Sequence, residues 1–296
     1  MTKVFAVAVS LLTISLGTVA LSFKTIDVEA GSLSANGTYA QSINDRGDVA
    51  GFTFDEVGLG HPYLVRHGVV TFLQLPITWG AVEAAARSIN SSGDIVGDYY
   101  LADGTAKGYL RSHQGKWTSF DVPGVEGGTF PFGINSQGEI VGVAGYLDLS
   151  TDHGFLFRPG HGRAPGSYLP IDFPGADSTD PFGLNDDGDV VGAYRRSDGT
   201  THGFLQHEGD FTTVDVPGAQ ETYPKGINSR GEIAGQFVDA DGFHSFLLSK
   251  GTYTKFDVPG AVLAATMSIN DHGEIVGFYF DEAGMGHGFK AVRAHH

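Results

Sequence analysis

At 296 residues, with no cysteine and only 18% charged residues, the chain can bury a sizeable core, but disulfides, zinc-thiolate sites, iron–sulfur centres and a cysteine nucleophile are all excluded. Its 34 acidic against 18 basic residues leave a net charge of -16, a field that repels phosphate backbones and argues against nucleic acid as a partner. Forty-four glycines beside 21 phenylalanines and 11 tyrosines predict many short strands joined by tight turns, an all-β fold.

The chain opens with MTKVFAVAVSLLTISLGTVALS, in which Lys3 precedes an apolar run, and Thr18 and Ala20 stand before a cleavage point. That pattern predicts a secretory signal peptide over residues 1–20. An uncleaved anchor is the alternative, because the apolar run approaches spanning length, although Ser10, Thr13, Ser15 and Thr18 weaken it. Residues 21–296 are then expected to form a single exported domain, extracellular or periplasmic, monomeric, and off the membrane once the signal is removed.

After the leader comes FKTIDVEAG, residues 23–31, and then the same string returns six times. It reads GINSQGEIVGVA from Gly133, GLNDDGDVVGAY from Gly183, GINSRGEIAGQF from Gly226 and SINDHGEIVGFY from Ser268. The asparagines that anchor the copies are Asn44, Asn90, Asn135, Asn185, Asn228 and Asn270, spaced by 46, 45, 50, 43 and 42 residues. A strand-built repeat of about 40–50 residues has the period of a propeller blade.

Each copy divides into four strand-like pieces, A to D, which in the fifth copy are TYPKGIN, EIAGQFV, FHSFLLS and YTKFDVPG. The A–B linker NSRG offers an asparagine for an Asx-turn and a glycine for positive φ. The D–A connection PGAQET is longer and carries a proline that ends the strand. The sixth copy supplies A, B and C and stops. Its missing D piece matches FKTIDVEAG at the other end of the chain, so the N-terminal strand is expected to complete the last blade and remove the open sheet edges. The predicted architecture is a six-bladed β-propeller of four-stranded antiparallel blades.

The pattern INxxGxxVG followed by HGF resembles the HAF repeat family of bacterial extracellular repeat proteins. The triplet is HGF at His153, His202 and His287, HSF at His244, HPY at His61 and KGY at Lys107. Alanine is absent from every copy and the second copy lacks the histidine. The resemblance implies fold and says little about activity.

In such a meander the D–A and B–C connections share one face and the A–B and C–D turns the other. The recurring histidines predict a structural role, accepting a turn amide or pairing with a nearby Asp, since equivalent residues in neighbouring blades stand too far apart to share one zinc. The NDRGD, NDDGD and NDHGE turns lack the full oxygen set of a calcium loop, so no metal and no cofactor is predicted.

Function is expected where the copies differ on the loop-rich face. The candidate ligand-binding residues are Trp79, Arg87, Phe130, Arg195, Tyr223 and Lys225, with Phe132, Glu221 and Arg196 nearby. Aromatic faces beside charged forks suit sugars or peptides. The leading expectation is a secreted binding or interaction module with a carbohydrate or peptide at the channel mouth; the nucleophile elbow, HExxH and phosphate-loop patterns are absent. The alternative is a carbohydrate-active hydrolase or lyase using a carboxylate or a His–Tyr pair at the same mouth, with Glu83, Glu126, Asp177, Asp180 and Glu221 as acid/base candidates; glycosidase action requires two carboxyls about 5–10 Å apart.

Overall fold

The computed structural model describes residues 20–28, 37–125, 127–145, 153–160 and 166–294. The expected signal segment, except Ala20, lies outside the described residues, as does Glu126. Among those described, no helix is long and apolar enough to cross a membrane.

The fifth repeat shows how each copy folds. Its strands are β18 (Glu221–Ile227), β19 (Ile233–Asp239), β20 (Gly242–Ser249) and β21 (Thr252–Phe256), paired antiparallel in chain order. Asn228 and Gly231 close the first turn, with the Gly231 amide donating to the Asn228 carbonyl at 3.0 Å. Two-residue turns of the His67-Gly68 kind join the third strand to the fourth in the first repeat; φ is 49° at His67 and 77° at Gly68. Positive φ at both central residues is what a type I′ hairpin turn demands, and it matches the twist of the flanking strands.

Among the described residues, hydrogen bonding defines four separate four-stranded sheets and one eight-stranded sheet, where the repeats predict six separate sheets. Three of the separate sheets span residues 38–72, 81–120 and 128–171. The eight-stranded sheet arises because β16 (Thr201–His207) meets β18 at one parallel bridge, Thr201 to Glu221, which joins the fourth repeat to the fifth. The last four-stranded sheet contains both ends of the described chain. Its strand β1 (Leu21–Ile26) runs antiparallel to β24 (Gly286–Arg293), from Leu21 opposite Arg293 to Ile26 opposite Gly288. The edge that the sixth copy would leave open is therefore covered by Leu21–Ile26.

Apolar side chains of adjacent sheets interlock to form the core. Ile233 and Phe246 of the fifth repeat pack with Val191 of the fourth, and Val141 of the third packs with Ile171 and Phe204. Sheet-on-sheet burial of this kind replaces the cross-links that a cysteine-free chain lacks.

The first strand of every repeat lines a central channel: β2 (Thr38–Ile43), β6 (Ala81–Ile89), β10 (Gly128–Ile134), β14 (Ser178–Leu184), β18 and β22 (Leu263–Ile269). Each of these strands carries a bulge at the same place. In β10 the pairing jumps from Pro131, opposite Gly142, to Gly133, opposite Val141, and leaves Phe132 as the extra residue. Gln41, Arg87, Phe182, Lys225 and Met267 occupy the corresponding position in the other five strands. The glycine that ends the second strand's recurring triplet, IVG in three copies and VAG, VVG and IAG in the others, lies opposite each bulge for a steric reason. A Cβ on Gly142 would collide with the carbonyl oxygen of Phe130, so the partner strand has to be bare where the inner strand kinks.

Candidate functional site

One end of the channel is closed by the repeat asparagines. The Asn44 side-chain amide donates to the carbonyl of Asn90, Asn90 to Asn135, Asn135 to Asn185, Asn185 to Asn228, Asn228 to Asn270, and Asn270 back to Asn44, at 3.0–3.3 Å. Each asparagine also serves its own turn. The Oδ1 of Asn228 accepts the amides of Arg230 and Glu232, and its Nδ2 donates a second bond to Glu232 at 2.9 Å. All four hydrogen-bonding positions of a buried carboxamide are thus filled, two donors and two acceptors, and only asparagine carries that group at the short reach of an Asx-turn. Asx-turn chemistry accounts for only half of this; the half that binds the next repeat is visible only when the ring is assembled.

Behind the asparagines, the carboxylate four residues on anchors each turn to a basic group near the third strand. Asp48 bonds Arg66 at 3.1 Å, Glu139 bonds Arg158 at 2.9 Å, and Glu274 pairs with Lys290 at 2.7 Å. Glu232 is the densest of these hubs. Burial raises its pKa, but bonds from Arg230, Asn228, Ser249 and Arg293 outweigh burial and hold it down at about 2.

The triplet histidines lie elsewhere and are paired. His202 bonds Asp215 at 2.8 Å, His244 Asp257 at 3.0 Å, His153 Asp172 at 3.2 Å and His287 Asp27 at 2.9 Å. In the second copy Lys107 substitutes for histidine and meets Asp121 at 2.6 Å, so the position supplies a donor to the aspartate that follows the fourth strand. His61, whose repeat has Gln74 at that place, turns to Asp55 at 2.9 Å. Among the described residues no group of three or more His, Cys, Asp or Glu could hold a metal ion.

At the other end of the channel is a cavity of about 180 Å³ lined by the six bulge residues, Gln41, Arg87, Phe132, Phe182, Lys225 and Met267. A bulge re-aims its extra side chain out of the sheet; here six of them converge. Arg87 is held by Asp98, a fully buried carboxylate, through Nε to Oδ1 at 2.6 Å and Nη2 to Oδ2 at 3.3 Å. Burial works against the guanidinium charge, and Asp98 more than restores it. Lys225 places Nζ 3.2 Å from the centroid of the Phe182 ring and 5.7 Å from that of Tyr223. Burial lowers the Lys225 pKa to about 8 despite the favourable charge of Asp180.

Of the residues singled out by sequence, Arg87 and Lys225 meet at this cavity and Tyr223 stands beside it. The Tyr223 hydroxyl donates to Glu221 at 2.7 Å, and burial, with that bond, pushes its pKa up to about 12. Trp79, in a 3-10 turn over Ile77–Trp79, instead stacks on Tyr99 at 5.1 Å and meets Trp117 edge-on at 6.1 Å, half-buried against the core of the second repeat. Phe130 is buried against Ala106 and Val143. Arg195 is exposed at the end of β15 (Val190–Arg195). Gln41, Phe182 and Met267 were not singled out. Their signal was present: three residues before each asparagine, the six copies read Gln, Arg, Phe, Phe, Lys and Met, while the residue just before the asparagine is aliphatic every time.

No protein-family model matches the chain, and no curated protein sequence matches it. Solved structures do. A putative TolB from Agrobacterium tumefaciens superposes with a TM-score of 0.59 at 12% identity, covering 94% of this chain and 100% of that one. A virginiamycin B lyase from Staphylococcus aureus with quinupristin gives 0.52 at 12% identity, covering 92% and 99%. An Aleuria aurantia lectin in complex with Fucα1-6GlcNAc gives 0.51 at 9% identity, covering 88% and 93%. The chain folds as a β-propeller. At these identities the likeness concerns fold alone, and the propeller's function has to be argued from its own site.

Proposed function

We propose that the chain is an exported six-bladed propeller of the HAF-repeat kind that acts as a binding module, with its ligand at the mouth lined by the six bulge residues. The six-fold count rests on the ring of asparagine bonds, which returns to Asn44 after six steps; the eight-stranded sheet is two blades joined by a single bridge.

The observation that carries the binding reading is that six equivalent bulges aim six side chains of mostly different chemistry into one cavity. A position that served only the scaffold would repeat, as the asparagines do. Propellers of the same fold are seen with a fucosylated disaccharide and with quinupristin, so the architecture accommodates small ligands. A glycoside hydrolase needs opposed carboxyl groups at the mouth, and the six bulge residues include none. Glu221 is bonded to Tyr223, and the Glu83 carboxylate accepts the Gly60 amide at 3.4 Å.

The test is a glycan and peptide array read with the mature protein and with Met267→Trp, which fills the cavity, and Trp79→Ala, which does not touch it. The reading expects binding to be lost in the first and kept in the second. Binding that survives Met267→Trp unchanged places the ligand elsewhere and defeats the reading.

A further inference from the structure

The six mouth residues are ordered around the ring. Neighbouring repeats are neighbours in space, as the asparagine bonds show, so Arg87 and Lys225, three repeats apart, face each other across the opening. Phe132 and Phe182 fill the two places between them on one side, their ring centroids 5.7 Å apart. Gln41 and Met267 fill the two places on the other.

The two cations differ in what compensates them. Arg87 makes two bonds to a carboxylate that is itself fully buried, so its charge is matched within the fold. Lys225 instead lies over the face of Phe182, a ring that attracts the ammonium but carries no opposite charge to match it. Burial there outweighs the help that Asp180 gives, so an added anion would stabilise the ammonium. A cation in this state within a molecule of net charge -16 is a local recognition feature and not part of a general basic surface. The size of the opening narrows the ligand further. Its volume of about 180 Å³ is close to the roughly 150 Å³ that accommodates one benzene molecule in an apolar protein cavity.

The geometry points to a small ring-bearing carboxylate as the ligand of this mouth, its ring against Phe132 and Phe182 and its carboxylate on the Nζ of Lys225. This assignment rests on the mouth being the binding site. Both an aromatic acid and a sugar acid satisfy it, since either ring presents an apolar face to the phenylalanines, and Gln41 opposite is placed to bond the hydroxyls that only the sugar carries.

The experiment is calorimetric titration with benzoate and glucuronate, and with their neutral counterparts benzamide and glucose, on the wild-type protein and on Lys225→Met, Lys225→Arg and Met267→Trp, each checked for folding by circular dichroism. At least one carboxylate is expected to bind, and its neutral counterpart to bind about tenfold more weakly or worse. Lys225→Met should remove that preference, and Lys225→Arg should retain it. Preference for benzoate identifies an aromatic acid and preference for glucuronate a sugar acid. If neither carboxylate binds, or Lys225→Met binds it as tightly as wild type, the assignment is overturned. If neutral rings bind as well as the acids and Met267→Trp abolishes both, the mouth stands as the site and the anion assignment alone fails. If binding survives Met267→Trp, both fail.

Discussion

The two ends of the channel are made by the same six strands, three residues apart, and they follow opposite rules. At the turn end the side chain is asparagine six times over, because it reaches across to the next repeat and back into its own turn. At the mouth the bulge aims the side chain into the cavity, where each residue makes contacts of its own, Arg87 with Asp98 and Lys225 with Phe182, and the residue type changes from copy to copy. A repeat protein conserves within itself the positions that touch another repeat. The mouth residues meet their neighbours through side-chain contacts that tolerate different partners, Phe132 against Phe182 and Phe182 beneath Lys225, and there the residue type is free to vary.

The contrast can be broken most severely by opening the ring. A chain lacking residues 21–28 loses β1 and leaves β24 as an uncovered edge, so it should self-associate in sedimentation and unfold over a broad, early transition. A truncated protein that melts sharply at the wild-type temperature would show that closure is dispensable.

Next in size is Asn228→Ala, which strands two amides, a carbonyl and a carboxylate inside the ring. Urea unfolding should show a loss of about 3 kcal/mol or more, since each buried polar group left without a partner costs about 1–3 kcal/mol. Met267→Ala, at the half-buried mouth, should cost about 1 kcal/mol. Equal losses for the two variants would erase the distinction between the ends.

The pH dependence separates the ends by range: both groups have lowered pKa values, so stability rises with pH through each, at the turn end in acid and at the mouth in alkali. At the turn end, Glu232 has its pKa held to about 2 in the folded chain, against 4.5 for the free group. Its stabilisation is therefore fully present above about pH 4.5 and is lost as pH falls towards 2. The loss relative to Glu232→Gln, read by urea unfolding across that window, should be on the order of 3 kcal/mol.

At the mouth, Lys225 titrates in the folded chain near 8 against 10.5 for the free amine. Between those values the unfolded chain binds more protons, so stability rises with pH there. Wild type should gain on Lys225→Met from pH 8 to 10.5, and a flat difference would mean that the ammonium is not buried as described. This is the smallest effect expected, because Lys225 retains some exposure at the channel mouth.

Much of this was legible in the sequence for a simple reason: repetition makes local chemistry visible. The asparagine and glycine turns, the four-strand meander and the match between residues 23–31 and the missing last strand all involve contacts within one copy or between identical copies. The bulges were not legible, because Phe132 or Lys225 continues a strand pattern without interruption, and only the register against Gly142 or Gly235 shows that an extra residue has been inserted. Trp79 was misleading for a related reason. Its departure from the repeat theme compensates packing around Tyr99 and Trp117 and need not mark a ligand. The bridge from Thr201 to Glu221, which fuses two sheets, depends on a small local approach that no residue pattern encodes.

Methyl-labelled methionine spectra offer the most direct test of the mouth as the binding site, because the sequence holds three methionines and Met267 alone lines the cavity. Titration with benzoate or glucuronate should move the Met267 methyl resonance saturably while that of Met285, exposed on the loop before β24, stays in place. A ligand that binds with Met267 unmoved would contradict the account.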